Sequence, residues 1–300
     1  MPSQWCPNPR VSPDSGRFCV PLWLSDITSF ERRWQVGVYW AIAVRSFRRF
    51  STYRVATASG AFTNTVFGFI LCGIYLTLWH ERPGLGGYDV SDALTFVWLQ
   101  QGLLMPIGIF GATTTVELGE RVRSGEIAVD LYRPTRLLLW WLSVDLGRAM
   151  FQLLVRGGAP LLVGALVFDL KFPSSPLVVV TVAVGLLLAI LVSFGIRYLV
   201  ALSGFWITDT RGMEQLALVL SCFFSGTILP LVVFPGWIGE FARATPWAAT
   251  MQVPIDIWLG RSPDGIGAAL LFQLGWIVVL LFGGQLLTSV ATRKVVIQGG

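Results

Sequence analysis

Apolar residues fill long stretches of this chain, and polar ones gather in the gaps between them. Predominantly apolar segments of bilayer-crossing length, about 20 residues, run over 55–79, 93–115, 137–168, 176–207, 213–233 and 266–290. The pattern predicts an all-α, polytopic integral membrane protein with six transmembrane helices. The third segment is longer than a bilayer needs. Its start, with Trp140, Trp141, Asp145 and Arg148, reads as interfacial. Trp79, Trp98, Trp140, Trp141, Trp237 and Trp247 read mostly as residues of the interfacial aromatic belts.

Two shorter patterns flank these segments. Over 35–54, Val36, Tyr39, Trp40, Ala43, Phe47 and Phe50 recur at helical spacing, with Arg45, Arg48 and Arg49 opposite. This predicts an amphipathic helix lying in the headgroup layer. Between the fifth and sixth segments, Trp237, Ile238, Phe241 and Ala242 keep helical spacing opposite Glu240 and Arg243, which predicts a short half-buried helix at the outer face. Residues 1–34 carry five prolines and no periodicity, and read as a flexible tail without the features of a signal peptide. The expected organisation is therefore a tail over 1–34, an interfacial helix over 35–54 and a six-span domain over 55–300.

Charge orients the chain and narrows its chemistry. Charged residues are only 13% of the sequence, against about 25% in soluble domains. The net charge of +5 is no argument for nucleic acid, because the arginines sit beside the spans. Eight arginines precede Val55, so both termini are expected in the cytoplasm. The sequence holds no GxxxxGK[ST] phosphate loop, no HExxH or histidine cluster and no GxSxG elbow, so it lacks its own ATPase or metal-hydrolase apparatus. Cys6, Cys19, Cys72 and Cys222 show no metal-ligand spacing.

Polar residues at membrane depth are the remaining candidates. Arg156 lies roughly 18 Å from the outer end of the third segment at 1.5 Å per residue. With Gln100, Gln101 and Gln152 it marks a candidate translocation path. The competing reading has Arg148 and Arg197 reaching to the inner headgroups and Arg156 pairing inside the bundle. Gly157, Gly158 and Gly164, or Gly108 and Gly111, read as sites of close helix contact.

The densest charged patch beyond the N-terminal region is 117–136, ELGERVRSGEIAVDLYRPTR. A helix leaving the bilayer would break at Ser124-Gly125 and re-form briefly over 126–132, with Glu126 favoured in its first turn and Pro134 ending it. Ile127, Val129 and Leu131 give this short helix apolar surface to show a partner, with Ile127 and Leu131 four apart on one face.

The run RSGEIAVDLYRP, the arginine-rich helix before the first span, the six spans and the proline-marked outer segment SGTILPLVVFPGWIGEFARATPW together resemble a bacterial ABC-2-type permease subunit. The resemblance covers about Val36 to the C-terminus. It implies an exporter subunit in the plasma membrane, paired with a second permease chain, the same or a sister. It also implies a separate ABC ATPase that binds ATP and Mg, this chain having no cofactor of its own. Arg121, Arg123, Gly125, Glu126, Ile127, Leu131 and Arg133 would then form the helix that docks on the ATPase, with Ile127 and Leu131 as its apolar knobs. The exported substrate would be amphiphilic. The alternatives are a proton-driven secondary transporter, for which the spans show no clear carboxylate, and a non-transporting resistance or assembly subunit. An integral-membrane enzyme is disfavoured by the missing ligand sets.

Overall fold

A computed structural model describes the backbone of residues 22–108, 113–133, 135–173, 175–207 and 210–298, and within those ranges the side chains of 36–108, 116–133 and 135–293. Of the sequence expectations, those on Cys6, Cys19, Gly111, Pro134 and the side chains of residues 1–35 lie outside it. The chain divides into two compact units, Met1–Val38 and Tyr39–Gly300. The first contributes the start of helix α1 and the second carries everything that follows.

The described residues are helical, with no strand among them. The order is α1 (Leu22–Ser51), α2 (Arg54–Glu81), α3 (Val90–Ile107), α4 (Thr113–Ser124), α5 (Ile127–Leu131), α6 (Leu137–Phe151), α7 (Gly158–Val167), α8 (Pro176–Leu202), α9 (Arg211–Phe224), α10 (Gly236–Ala244), α11 (Gln252–Leu259) and α12 (Gly265–Gln298). A π-helical turn, Gln152–Gly157, joins α6 to α7. The helix expected over 35–54 is thus the second half of a longer one, beginning at Leu22.

Four helices are long and apolar enough to cross a bilayer: α2, α6 through α7, α8 with the turn after it, and α12 to Arg293. The second and fifth expected segments differ, each for a physical reason. α3 is buried along almost its whole length. Protein covers it instead of lipid, so it can carry Asp92, Thr95, Gln100 and Gln101. It stops at Gly108, which sits at φ 73° and donates its N–H to the Leu104 and Met105 carbonyls. α9 has 14 residues, roughly 21 Å, short of a full crossing. The chain then turns through Gly226 at φ 88°.

Local chemistry sets the helix starts. Asp89 and Asp92 form a reciprocal capping box at the head of α3, with bonds of 2.8 and 3.1 Å. Ser175 caps α8 ahead of Pro176, which occupies the first turn where a missing N–H costs nothing.

Two apolar cores lie at different places along the bundle. One gathers Cys72, Tyr75 and Trp79 of α2, Phe96 and Trp98 of α3, and Met251 and Ile255. The other gathers Leu118 of α4, Ile127 of α5, Leu137 and Trp141 of α6, and Phe194, Tyr198 and Leu202 of α8. Trp79, Trp98 and Trp141 are therefore core residues, with 1%, 0% and 2% of their surface exposed, and not belt residues. Gly164 makes the place for Trp98, since a Cβ there would overlap the indole.

The second half of α1 lies on α6. Ser46 Oγ donates to the Val144 carbonyl at 2.6 Å, Phe47 meets Phe151 edge-on at 5.5 Å, and Gly147 lets the Ala43 carbonyl approach to where a side chain would stand. Backbone cannot yield as a flexible side chain does, so Gly147→Ala is expected to cost about 1–3 kcal/mol and to loosen α1 from α6. Trypsin cleavage at Arg45, Arg48 and Arg49 in native membranes should speed up several-fold. Unchanged cleavage would mean the contact is not held.

Candidate functional site

Four groups of residues carry chemistry beyond packing. The first is the turn between α4 and α5. Gly125 adopts φ 78°, open to glycine and strained for other residues. Glu126 stands at the cap of α5 without a side-chain capping bond, although Ser124 Oγ accepts from its N–H at 3.4 Å. Asp130 is buried and binds Arg121 and Arg133, each at 3.1 Å. This clasp ties α5 back onto α4. Arg133 also lies 4.4 Å over the Trp140 ring.

Placement corrects the expectation for the apolar knobs. Ile127 is 1% exposed and sits in the core, with Leu131 packed beside it. Ile127 holds α5 to the bundle and presents nothing to a partner, and Leu131 is half-buried against the same core. The outward face is Glu126, Val129 and Tyr132, three residues apart, with Val129 59% and Tyr132 91% exposed. Arg123 is exposed beside them. Next to this surface a cleft runs between α4 and the start of α9, lined by Glu120, Arg123, Thr210, Arg211 and Glu214.

The second group lies at the C-terminal end of α3. Asp145 is fully buried. It accepts from Arg148 Nε at 2.8 Å and from both terminal nitrogens of Arg197, at 2.9 and 2.7 Å. Arg148 also donates to the Met105 and Pro106 carbonyls at 2.8 and 3.1 Å, and Ser193 Oγ donates to that of Ile107. The helix ends here: the Met105 carbonyl keeps only the Gly108 N–H, and the two side chains supply donors to the last carbonyls of α3. Arg148 and Arg197 thus do not reach for headgroups. A carboxylate does lie within a candidate span, contrary to the expectation, but two guanidiniums hold it.

The third group is the polar set expected at membrane depth. Gln100 Nε2 donates to the Thr227 carbonyl, and Asn64 Nδ2 to that of Gln101 at 3.1 Å. Gly102 and Gly157 meet backbone to backbone: a Cβ on Gly157 would come 2.6 Å from the Gly102 oxygen. Of the other expected contact glycines, Gly158 has no neighbour that a Cβ would meet, and Gly108 faces Arg148 and Arg197. The structure therefore brings Gln101, Gln152 and Arg156 into one neighbourhood of α2, α3 and the π-turn. Arg156 makes no ion pair among the described residues. Its Nε and the Oε1 atoms of Gln100, Gln101 and Gln152 are buried without a protein partner.

Sequence reasoning missed a fourth cluster on the 225–261 side of the fold. Asp256 of α11 accepts from Tyr88 Oη and Gln252 Nε2, each at 2.8 Å, and Gln252 Oε1 accepts from the Leu231 N–H at 3.0 Å. Burial pushes the Asp256 carboxyl up to about 6, against the pull of Tyr88, Gln252 and Arg243. No local pattern marks this set, because Tyr88 lies far from Asp256 in sequence. A raised folded pKa contributes stability that is complete below the unfolded value and is lost as pH rises through about 6. Amides of α11 should therefore exchange more slowly at pH 5 than at pH 8, by on the order of 2 kcal/mol after correction for intrinsic rates. Asp256→Asn should abolish that difference, and an unaltered pH dependence would show that another group titrates. Beside this cluster α10 forms where the pattern put it, but turns Trp237 and Phe241 outward (75% and 56% exposed) and buries Gly239 and Ala242.

No curated protein and no solved structure matches this chain. The family model described as ABC-2 family transporter protein matches residues 62–299, from within α2 to the end of α12, including the α4–α5 turn and every cluster described above. With four helices of bilayer-spanning length and apolarity, this is a multi-pass membrane permease, and the chain belongs to the ABC-2 transporter family.

Proposed function

We propose that this chain is the transmembrane subunit of an ATP-driven exporter in the bacterial plasma membrane, acting on an amphiphilic substrate. The observation that carries this reading is the outward face of α5. Glu126, Val129 and Tyr132 are exposed on a helix too short to stand alone, locked to α4 by Asp130. Such a surface suits docking in a groove of a separate ATPase, which would hold ATP and Mg. Arg121 and Arg133 are engaged by Asp130, which leaves Arg123 and Glu126 for charge pairing to the partner. α3 and α9 would supply the fifth and sixth crossings, α3 covered by protein and α9 continued by the 225–233 segment. Both termini would be cytoplasmic, with the arginine face of α1 at the inner headgroups. A second permease chain, the same or a sister, would complete the transporter.

The proton-driven alternative requires a carboxylate within the spans free to exchange protons; Asp145 is bound on both oxygens, and Asp256 lies outside the four candidate spans. The test is to purify the chain from its native membrane and reconstitute it in proteoliposomes with a fluorescent amphiphile. An ABC ATPase should co-elute, and dye movement should need ATP and stop with vanadate. A chain that elutes alone and moves dye on a proton gradient without ATP would overturn the proposal.

A further inference from the structure

Arg156 stands apart from the other arginines of the bundle. Arg148 and Arg197 share Asp145. Arg156, by contrast, projects from the π-turn onto α2, where Gly60 makes room for it: a Cβ on Gly60 would overlap the guanidinium. Gly60 lies six residues into α2, roughly 9 Å from its start, so the charge sits below the headgroups of that end. π-turns of this kind recur at functional sites, and their wider pitch brings residues about four apart onto one face. Here they are Gln152 and Arg156, with an unpartnered carbonyl oxygen on the first and an unpartnered Nε on the second. Leu154 and Val155, between them on the other side of the turn, are 63% and 44% exposed, so the π-turn borders the outer surface of the bundle. A structural arginine at this depth normally ends on a carboxylate or on helix carbonyls, as Arg148 does, and among the described residues this one ends on neither.

We infer that Arg156, Gln152 and the α2 face at Gly60 form a lateral site for the anionic head of an amphiphile, a phosphate or carboxylate carrying hydroxyl groups. The guanidinium fork matches two oxygens of such an anion. The Gln152 carbonyl accepts from a hydroxyl on the same head, with Gln101 behind it across the Gly102–Gly157 contact. The acyl chains stay in the lipid beside Leu154 and Val155. This inference deepens the export reading by naming the substrate class, and as a substrate site it rests on that reading.

The test uses the full chain in nanodiscs with a diazirine-bearing phosphatidylglycerol as probe and the matching phosphatidylcholine as reference. Phosphatidylglycerol should label peptides of α2 and the π-turn, with phosphatidylcholine far behind. Arg156→Gln should cut that labelling about tenfold, the scale of one lost charge-assisted hydrogen bond, and Arg156→Lys should keep most of it. Gly60→Ala, which keeps the charge but displaces the guanidinium, should also cut labelling. Inorganic phosphate in millimolar excess should not compete. Equal labelling by the two lipids, or undiminished labelling in both Arg156→Gln and Gly60→Ala, would overturn the site. Competition by free phosphate would replace the amphiphile with a soluble anion and overturn that part. Labelling needs no ATP, so it reports the site alone. Failure of the export reading would appear separately, as label that ATP and the ATPase never displace.

Discussion

Replacing Val129 and Tyr132 together by serine is expected to leave the chain in the membrane and to strip its ATPase on purification. Both side chains stand in solvent on one face of α5 (59% and 91% exposed), so the fold loses nothing with them. Buried in a partner groove, each would contribute about 1.5–3 kcal/mol before ordering costs. Losing both weakens docking by about 100-fold or more. ATP hydrolysis by the released subunit then continues without transport. Ile127→Ser should behave in the opposite way. Ile127 is 1% exposed within the core of α4, α5, α6 and α8. A hydroxyl and a cavity there cost about 2–4 kcal/mol, seen as poor yield and early melting. The measurements are co-purified ATPase, chain yield and export for the two mutants side by side. A double mutant that keeps its ATPase and exports normally would sink the assignment of this face.

Asp145→Asn should produce the largest loss of stability among single polar changes in the bundle. Its carboxylate is fully buried and binds both Arg148 and Arg197. Removing the charge leaves two guanidiniums facing each other in a medium that cannot solvate them, at a cost of roughly 3–5 kcal/mol. In detergent this should lower the thermal midpoint by on the order of ten degrees. Asp92→Asn supplies the comparison. Its partners, Lys171 and Arg261, are 39% and 42% exposed, so water takes over much of the work and the loss should be smaller. If the two mutants melt together, or Asp145→Asn melts with the unaltered chain, the arginines are being solvated in some other way.

The contrast between these residues marks what periodicity can read. The break at Gly125 and the short helix after it were legible, because a glycine between two apolar-periodic runs has few other uses. Which face of α5 turns inward was not. Five residues give Ile127 and Leu131 one side, Val129 and Tyr132 the other, and both sides are apolar. The choice is made by Leu118, Phe194 and Trp141, which belong to three other helices. The same holds at α10, where the pattern marked the helix but the small Gly239 and Ala242 face inward. Asp145 was misread because its partner, Arg197, comes 52 residues later. Next to Trp140 and Trp141 a lone acid looks interfacial, and nothing nearby in sequence says otherwise. α3 was legible as apolar and helical but not as enclosed, since its glutamines look alike whether they face a path or a neighbouring carbonyl.

The Asp130 clasp has a mechanical consequence. A five-residue helix hung on a glycine would be a loose hinge, and a push on it would be spent in bending Gly125. With Asp130 gripping Arg121 on one side of the bend and Arg133 on the other, the hinge is braced like a bracket. α4 is about 18 Å long, so a displacement of about 3 Å at Tyr132 becomes a tilt of about 10° of the whole arm. Leu118 transfers that tilt to Phe194, Tyr198 and Leu202 on α8. Gly284 of α12 leaves room for the Tyr198 ring to rest against that helix. Under the docking reading, the bracket would convert a small stroke at α5 into torque on α8 and α12, two of the four helices long and apolar enough to span a bilayer.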